Sequence, residues 1–166
     1  TAFCGYDGTE LTSTVIGLYA EGKAVQNASK GTDVVVILDK TVFYAESGGQ
    51  VGDTGMLSKG SAKIVIADCR KVGNHHIHIG QIVSGEFAIG DEVDGQVDQT
   101  LRQATALNHS ATHLLHEALR QVLGEHVQQR GSLVDSERLR FDFSHGEAVS
   151  PEQIRKIEHI VNSEVL

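Results

Sequence analysis

The rhythm of hydrophobic and polar positions along this chain changes once, near residue 97. Before it, short stretches of β-branched or alternating residues are divided by glycine turns such as Glu21-Gly22, Lys30-Gly31, Ser58-Lys59-Gly60 and Val72-Gly73-Asn74. The candidate strands are residues 15–19, 23–26, 33–38, 63–68, 75–79 and 91–97. Many short strands at this spacing predict a small β-barrel. Residues 34–38 form an uninterrupted apolar run and read as a central strand.

After residue 97 the period becomes helical. Asp98 can cap a helix over residues 99–123, and Gly124 can end it. At about 100° per residue, Ala104, Ala111, Leu115, Ala118 and Val122 fall in one sector of that helix. His109, His113 and His116 fall nearly opposite, with Thr112 at the edge of the histidine face. A connection over residues 126–132 leads to strands at Leu133-Val134 and residues 138–143. Ser150-Pro151-Glu152-Gln153 has the form of a capping box with proline at the first helical position. Ile154, Ile157, Ile160 or Val161, and Val165 make the apolar stripe of this last helix. That stripe, left uncovered, predicts self-association. The pattern runs to Leu166 without a stop signal and the chain opens on Thr1, so an internal piece of a longer protein is expected.

The fold expected is therefore α+β: a barrel domain over residues 1–97, then a second, partial domain over residues 98–166. The net charge of −8 shapes the functional reading. Residues 1–97 carry 7 Lys and Arg against 12 Asp and Glu, and residues 98–166 carry 7 against 10. Neither part has the basic excess of a stand-alone nucleic-acid binder, so any contact with RNA should be local or tethered. No apolar run approaches a membrane span. Cys4 and Cys69 lie far apart and form no ligand pair, which points to a reducing, cytoplasmic setting.

Two segments carry candidate chemistry. In Asn108-His109-Ser110-Ala111-Thr112-His113-Leu114-Leu115-His116, the first two histidines are four apart, the spacing by which a helix offers two nitrogens to one zinc ion. The zinc-protease glutamate after the first histidine is absent, and an exposed histidine-rich face is the competing reading. Two ligands are fewer than a zinc site needs. In Phe43-Tyr44-Ala45-Glu46-Ser47-Gly48-Gly49-Gln50-Val51-Gly52-Asp53-Thr54-Gly55, four glycines fall within eight residues. They suit close approach of backbone N–H groups to a ligand, or a tight connection in a barrel. The segment matches neither a Walker loop nor a dinucleotide fingerprint. His76 and His78 share one strand face, read here as solvated.

Together these segments resemble one family. Phe43 to Gly55 is similar to the glycine-rich signature of the alanyl-tRNA synthetases, and Asn108 to His116 to their editing-domain zinc helix. Gly131-Ser132-Leu133-Val134 and Leu139-Arg140-Phe141-Asp142-Phe143-Ser144-His145 match the same editing domain, so the resemblance spans essentially the whole chain. It implies a translation-protein-like barrel, then the first part of an editing domain of the threonyl/alanyl-tRNA synthetase type. It implies hydrolysis of mischarged seryl- or glycyl-tRNA(Ala), with the tRNA acceptor end as partner. By this resemblance His109 and His113 are zinc ligands, completed in the family by a Cys-x3-His pair that this chain does not contain. Thr112 and Gln129 line the editing pocket. Gly48, Gly49 and Gln50 approach the tRNA end. The direction of His116 gives it a supporting or a purely structural role, and His145 either faces the pocket or merely ends a strand. ATP and magnesium belong to an aminoacylation region outside this chain, as does the oligomerisation region. Two other readings remain open: a non-catalytic, tRNA-positioning barrel, and an unrelated zinc hydrolase using Asp, Glu or His145 as further ligands.

Overall fold

The computed structural model describes residues 1–5 and 8–165, with Val165 described in its backbone only. The expected place of Val165 in the apolar stripe therefore lies outside the described side chains. The elements are β1 (Ala2–Phe3), β2 (Glu10–Ala20), β3 (Lys23–Ala24), β4 (Asn27–Ser29), β5 (Asp33–Leu38), β6 (Lys40–Thr41), β7 (Gly55–Lys59), β8 (Ala62–Val72), β9 (His75–Ser84), β10 (Glu86–Ala88), β11 (Glu92–Val97), α1 (Gln99–Leu123), β12 (Gln128–Val134), β13 (Leu139–Ser144) and α2 (Pro151–Val165). No described helix is long and apolar enough to cross a membrane. Two compact units emerge: residues 1–47 with 51–102, and residues 48–50 with 103–166.

The first unit is a closed antiparallel barrel in the order β2, β5, β9, β8, β7, β11, with β11 pairing back onto β2. Closure leaves no free edge along the seam, where Thr12 also donates to Asp94 at 2.7 Å. Alternate residues of each strand point inward. Val34, Val36 and Leu38 are buried on β5, Ile64 and Ile66 on β8, and Val93 and Val97 on β11. Val35 and Ile37 turn outward, so the apolar run of β5 is a barrel strand with two half-apolar faces. Sequence pattern did not predict β7. Gly-Met-Leu-Ser-Lys offers one fully buried residue, Leu57, and pairing on both sides makes it a strand.

The histidines of β9 correct the expected solvated face. His76 and His78 point into the barrel, and His78 has no exposure at all. Its Nδ1 lies 2.9 Å from the Val36 carbonyl, which can only accept, so Nδ1 carries the proton. Nε2 then accepts from the Thr41 hydroxyl at 2.8 Å, and that hydroxyl oxygen accepts the Phe43 N–H at 3.0 Å. Burial holds His78 down to about 4, only partly offset by the Val36 bond. Burial also lowers His76.

Helix α1 begins within the first unit. Asp98 caps it by accepting the Leu101 N–H at 3.1 Å. Arg102 then fastens its first turn to the barrel. Its guanidinium pairs with the nearly buried Asp53 carboxylate and donates to the Val42 carbonyl at 2.5 Å. Asp53 also accepts the Tyr44 N–H at 2.8 Å.

The second unit packs α1, the β12–β13 hairpin and α2 around Ala118, Leu119, Val127 and Ile157. Gly124 ends α1 with φ +125°. Ser150 and Gln153 close the expected capping box on α2, each bonding the other's backbone N–H, at 2.9 and 3.2 Å. The expected connection over residues 126–132 is partly strand, since β12 starts at Gln128. The buried stripe of α1 is also rotated from the expected one. Thr105, Thr112, Ala118 and Leu119 are buried, whereas Ala104 and Ala111 are only half-buried. Thr112, expected at the edge of the histidine face, is buried.

Candidate functional site

The residues with candidate chemistry in the second unit come from α1, from β12 and from the ends of the β12–β13 hairpin. His109 and His113 are both exposed, one helical turn apart. Their Nε2 atoms are 3.0 Å apart and their ring centres 4.7 Å apart. Two imidazole nitrogens held about 2.0–2.1 Å from one tetrahedral zinc ion lie about 3.3–3.4 Å apart, with ring centres about 5.2 Å apart. The pair is within N–H···N hydrogen-bond distance and a few tenths of an ångström inside the bite of a single tetrahedral metal ion. No group of three or more His, Cys, Asp or Glu that could hold a metal ion is gathered among the described residues.

A second histidine pair has a different geometry. His126 Nε2 and His145 Nδ1 are 2.8 Å apart, with ring centres at 5.0 Å and planes 24° apart. A chelate with that nitrogen separation would bring the ring centres to about 4.4 Å. Rings meeting head-on through one N–H···N bond stand about 5.1 Å apart. His126 and His145 thus sit in N–H···N hydrogen-bond geometry. The bond closes the open end of the hairpin, just beyond the last rung, Gln128 to Ser144. Gly124 leaves room for the His126 ring, since a Cβ there would lie 2.7 Å from Nδ1.

His116 departs from the expected histidine face. It is half-buried against Phe141 of β13, with ring centres 5.1 Å apart, and its Nε2 is buried without a hydrogen-bond partner. Thr112 also lies on the buried side of the helix, and its hydroxyl donates to the Asn108 carbonyl one turn back, at 2.9 Å. The Asn108 side chain donates to the Asp135 carbonyl at 2.8 Å and so ties α1 to the turn between β12 and β13. That turn is built on the Asp135 carboxylate. The Glu137 and Arg138 N–H groups both donate to it and lower its pKa.

Gln129 is exposed on β12, opposite Phe143. No hydrogen bond joins it to His109, Thr112 or His113 among the described residues. The next residue, Arg130, is a β-bulge: Gln129 pairs with Phe143 and Gly131 with Asp142, leaving Arg130 without a rung.

Gly48, Gly49 and Gln50 lie along the other edge of β12. Gly49 accepts the Val134 N–H at 2.8 Å, Gly48 accepts the Ser132 hydroxyl at 3.2 Å, and Gln50 bridges to Val134. Gly49 has φ +87°, and a Cβ there would meet the Ser132 carbonyl oxygen at 2.3 Å. The glycine at this position is required by close backbone approach to β12. In the first unit, burial with Asp53 and Asp68 nearby pushes the Cys69 thiol up to about 12, so it serves packing.

Pattern reasoning gave no role to Asn108, His126 or Arg130. The available signals were slight: an Asn beginning the histidine run, a histidine two residues past the helix-ending glycine, and three successive polar residues in the expected connection.

Residues 1–101 match the family profile described as tRNA synthetases class II (A). Over 165 residues, the chain is 60% identical to the alanine–tRNA ligase of Pseudomonas entomophila (strain L48). It is 56% identical to that of Pseudomonas savastanoi pv. phaseolicola and 53% identical to that of Saccharophagus degradans. Each alignment covers 99% of this chain but 19% of the relative, so the chain spans about a fifth of their length.

Proposed function

The chain belongs to the class II (A) tRNA synthetases, and from that premise we propose that it forms part of an alanine–tRNA ligase. In this reading residues 1–97 are the barrel that precedes the editing domain, and residues 98–166 begin that domain. The second unit contributes to hydrolysis of seryl- or glycyl-tRNA(Ala). A pocket for alanine discriminates poorly against a substrate smaller by a methyl group or larger by one hydroxyl, so a second, hydrolytic site is needed. Aminoacylation, with its ATP and magnesium, would lie in the rest of the parent protein.

The observation that carries the proposal is the His109–His113 pair, whose nitrogen separation of 3.0 Å is within a few tenths of an ångström of the bite of a shared zinc ion. These two imidazoles would hold half the ligand set, and a Cys-x3-His pair elsewhere in the parent would complete it. When bound, zinc supplies Lewis acidity toward an ester carbonyl or a water molecule. The Thr112 hydroxyl proton is committed to Asn108, so its remaining lone pairs can accept a bond from the substrate hydroxyl, amine or water. Gln129 can both donate and accept at the terminal ribose or the ester. An ester has a better leaving group than an amide, so the reaction makes a modest demand on a general acid.

The test is deacylation of seryl-tRNA(Ala) by a longer protein that includes the downstream Cys-x3-His segment. Activity lost on His113→Ala, with folding intact, supports the proposal. Full activity after that change overturns the metal assignment.

A further inference from the structure

We propose that Arg130 is a phosphate-binding residue that holds a single-stranded RNA 3′ end beside Gln129; this rests on the reading of the second unit given above. A regular strand alternates its exposure, but Gln128, Gln129 and Arg130 are all exposed in succession. A bulge falls at Arg130, the one break in the β12–β13 ladder. A bulge bends the strand and re-aims its side chain, and here the re-aimed group is a guanidinium.

That guanidinium is uncommitted in an acidic chain. Within the second unit Arg138 pairs with Asp135, Arg140 with Asp142 and Lys156 with Glu152, while Arg120 donates to the Glu125 carbonyl. Asp142 stands opposite Gly131, the residue after the bulge, but is taken by Arg140 at 3.3 Å. Among the described arginines and lysines of this unit, only Arg130 and Arg155 of α2 have side chains with neither hydrogen bond nor ion pair. A planar fork of donors free of acidic partners suits a phosphodiester. With a net charge of −8, general attraction cannot hold RNA, so a placed cation is what a local contact requires.

The test uses this chain and a short, labelled single-stranded RNA at low ionic strength, with a duplex of the same sequence as comparison. The expected result is binding of the single strand that weakens several-fold on Arg130→Ala. The slope of log affinity against log salt should shrink by about 0.7, the loss of one phosphate contact on a single strand. Arg130→Lys should recover most of the binding, and Arg155→Ala should leave it unchanged. Absence of binding by the unaltered chain, equal binding by Arg130→Ala, or an equal loss on Arg155→Ala would overturn the proposal. A preference for duplex would replace the end-binding role with general backbone contact and overturn it as well. Zinc binding, measured on the same Arg130→Ala protein, separates the two readings. RNA binding through Arg130 without zinc at His109 and His113 would remove the hydrolytic site and leave this contact standing.

Discussion

Arg102, in the first turn of α1, closes on the carboxylate of Asp53 in the segment before β7, with its Nε at 3.1 Å. Both groups are largely withdrawn from water, and the guanidinium is satisfied further by the Val42 carbonyl. A pair so placed matters most when half of it is removed, because the other charge is left without a partner. Asp53→Asn and Arg102→Ala should each destabilise the barrel by about 2–4 kcal/mol in urea melts. The double change should cost much less than the sum of the two. Additive losses would show that the two side chains act separately.

Acid should weaken the barrel through His78. Its folded value of about 4 lies below the ordinary 6.5, so the unfolded chain binds the proton first. Stability is full above pH 6.5 and falls as the pH drops from there toward 4, by up to about 1.4 kcal/mol per pH unit. His76 is shifted the same way and adds to the slope. Asp91 also loses stabilisation in acid, but lower down. Burial raises it, and the Lys59 and Ala88 hydrogen bonds more than offset this, so its contribution fades as pH falls through the carboxylate range. Imidazole NMR checks the assignment directly: the His78 ring should stay neutral at pH 5.5, and a midpoint near 6.5 would contradict it.

The glycine strap on β12 separates two neighbours that look alike in sequence. Gly49→Ala must displace the Ser132 backbone, whereas a Cβ at Gly48 meets open space and pays only for φ +57°. We expect about 1 kcal/mol for Gly48→Ala and a clearly larger loss for Gly49→Ala. The Val134 amide should lose hydrogen-exchange protection in the second variant. Equal effects would mean that conformation, and not the Ser132 contact, selects glycine there.

The His126–His145 hydrogen bond is replaceable by chemistry of the same shape. An Asn side-chain amide reaches about the place of Nδ1 and can donate or accept, so His145→Asn should retain a partner for His126 Nε2. His145→Ala should open the end of the hairpin and speed exchange of the Gln128 and Gln129 amides, while His145→Asn should restore most of the protection. If both variants exchange alike, the contact contributes packing only.

The helix limits were legible because chain ends are written locally. Asp98 offers a cap, and Gly124 takes a φ of +125° that favours glycine. The barrel was legible from its turns, yet β7 was missed because a five-residue strand with one buried side chain becomes a strand by pairing with β8 and β11. The inward turn of His76 and His78 was misread for a related reason. Alternation places both on one face, but the phase of β9 against β5 and β8 decides which face is inside. His109 and His113 could be paired by spacing on one helix. The partnership of His126 with His145 joins residues 19 apart through the hairpin and has no counterpart in local pattern.

The most direct measurement is a zinc titration of the metal-free chain beside a His109→Ala/His113→Ala control. Half of a zinc site predicts one weak equivalent that disappears in the control and tightens sharply when a downstream Cys-x3-His segment is restored. Binding that survives loss of both histidines, or no binding by the unaltered chain, would contradict the assignment of this helix as a metal-holding face.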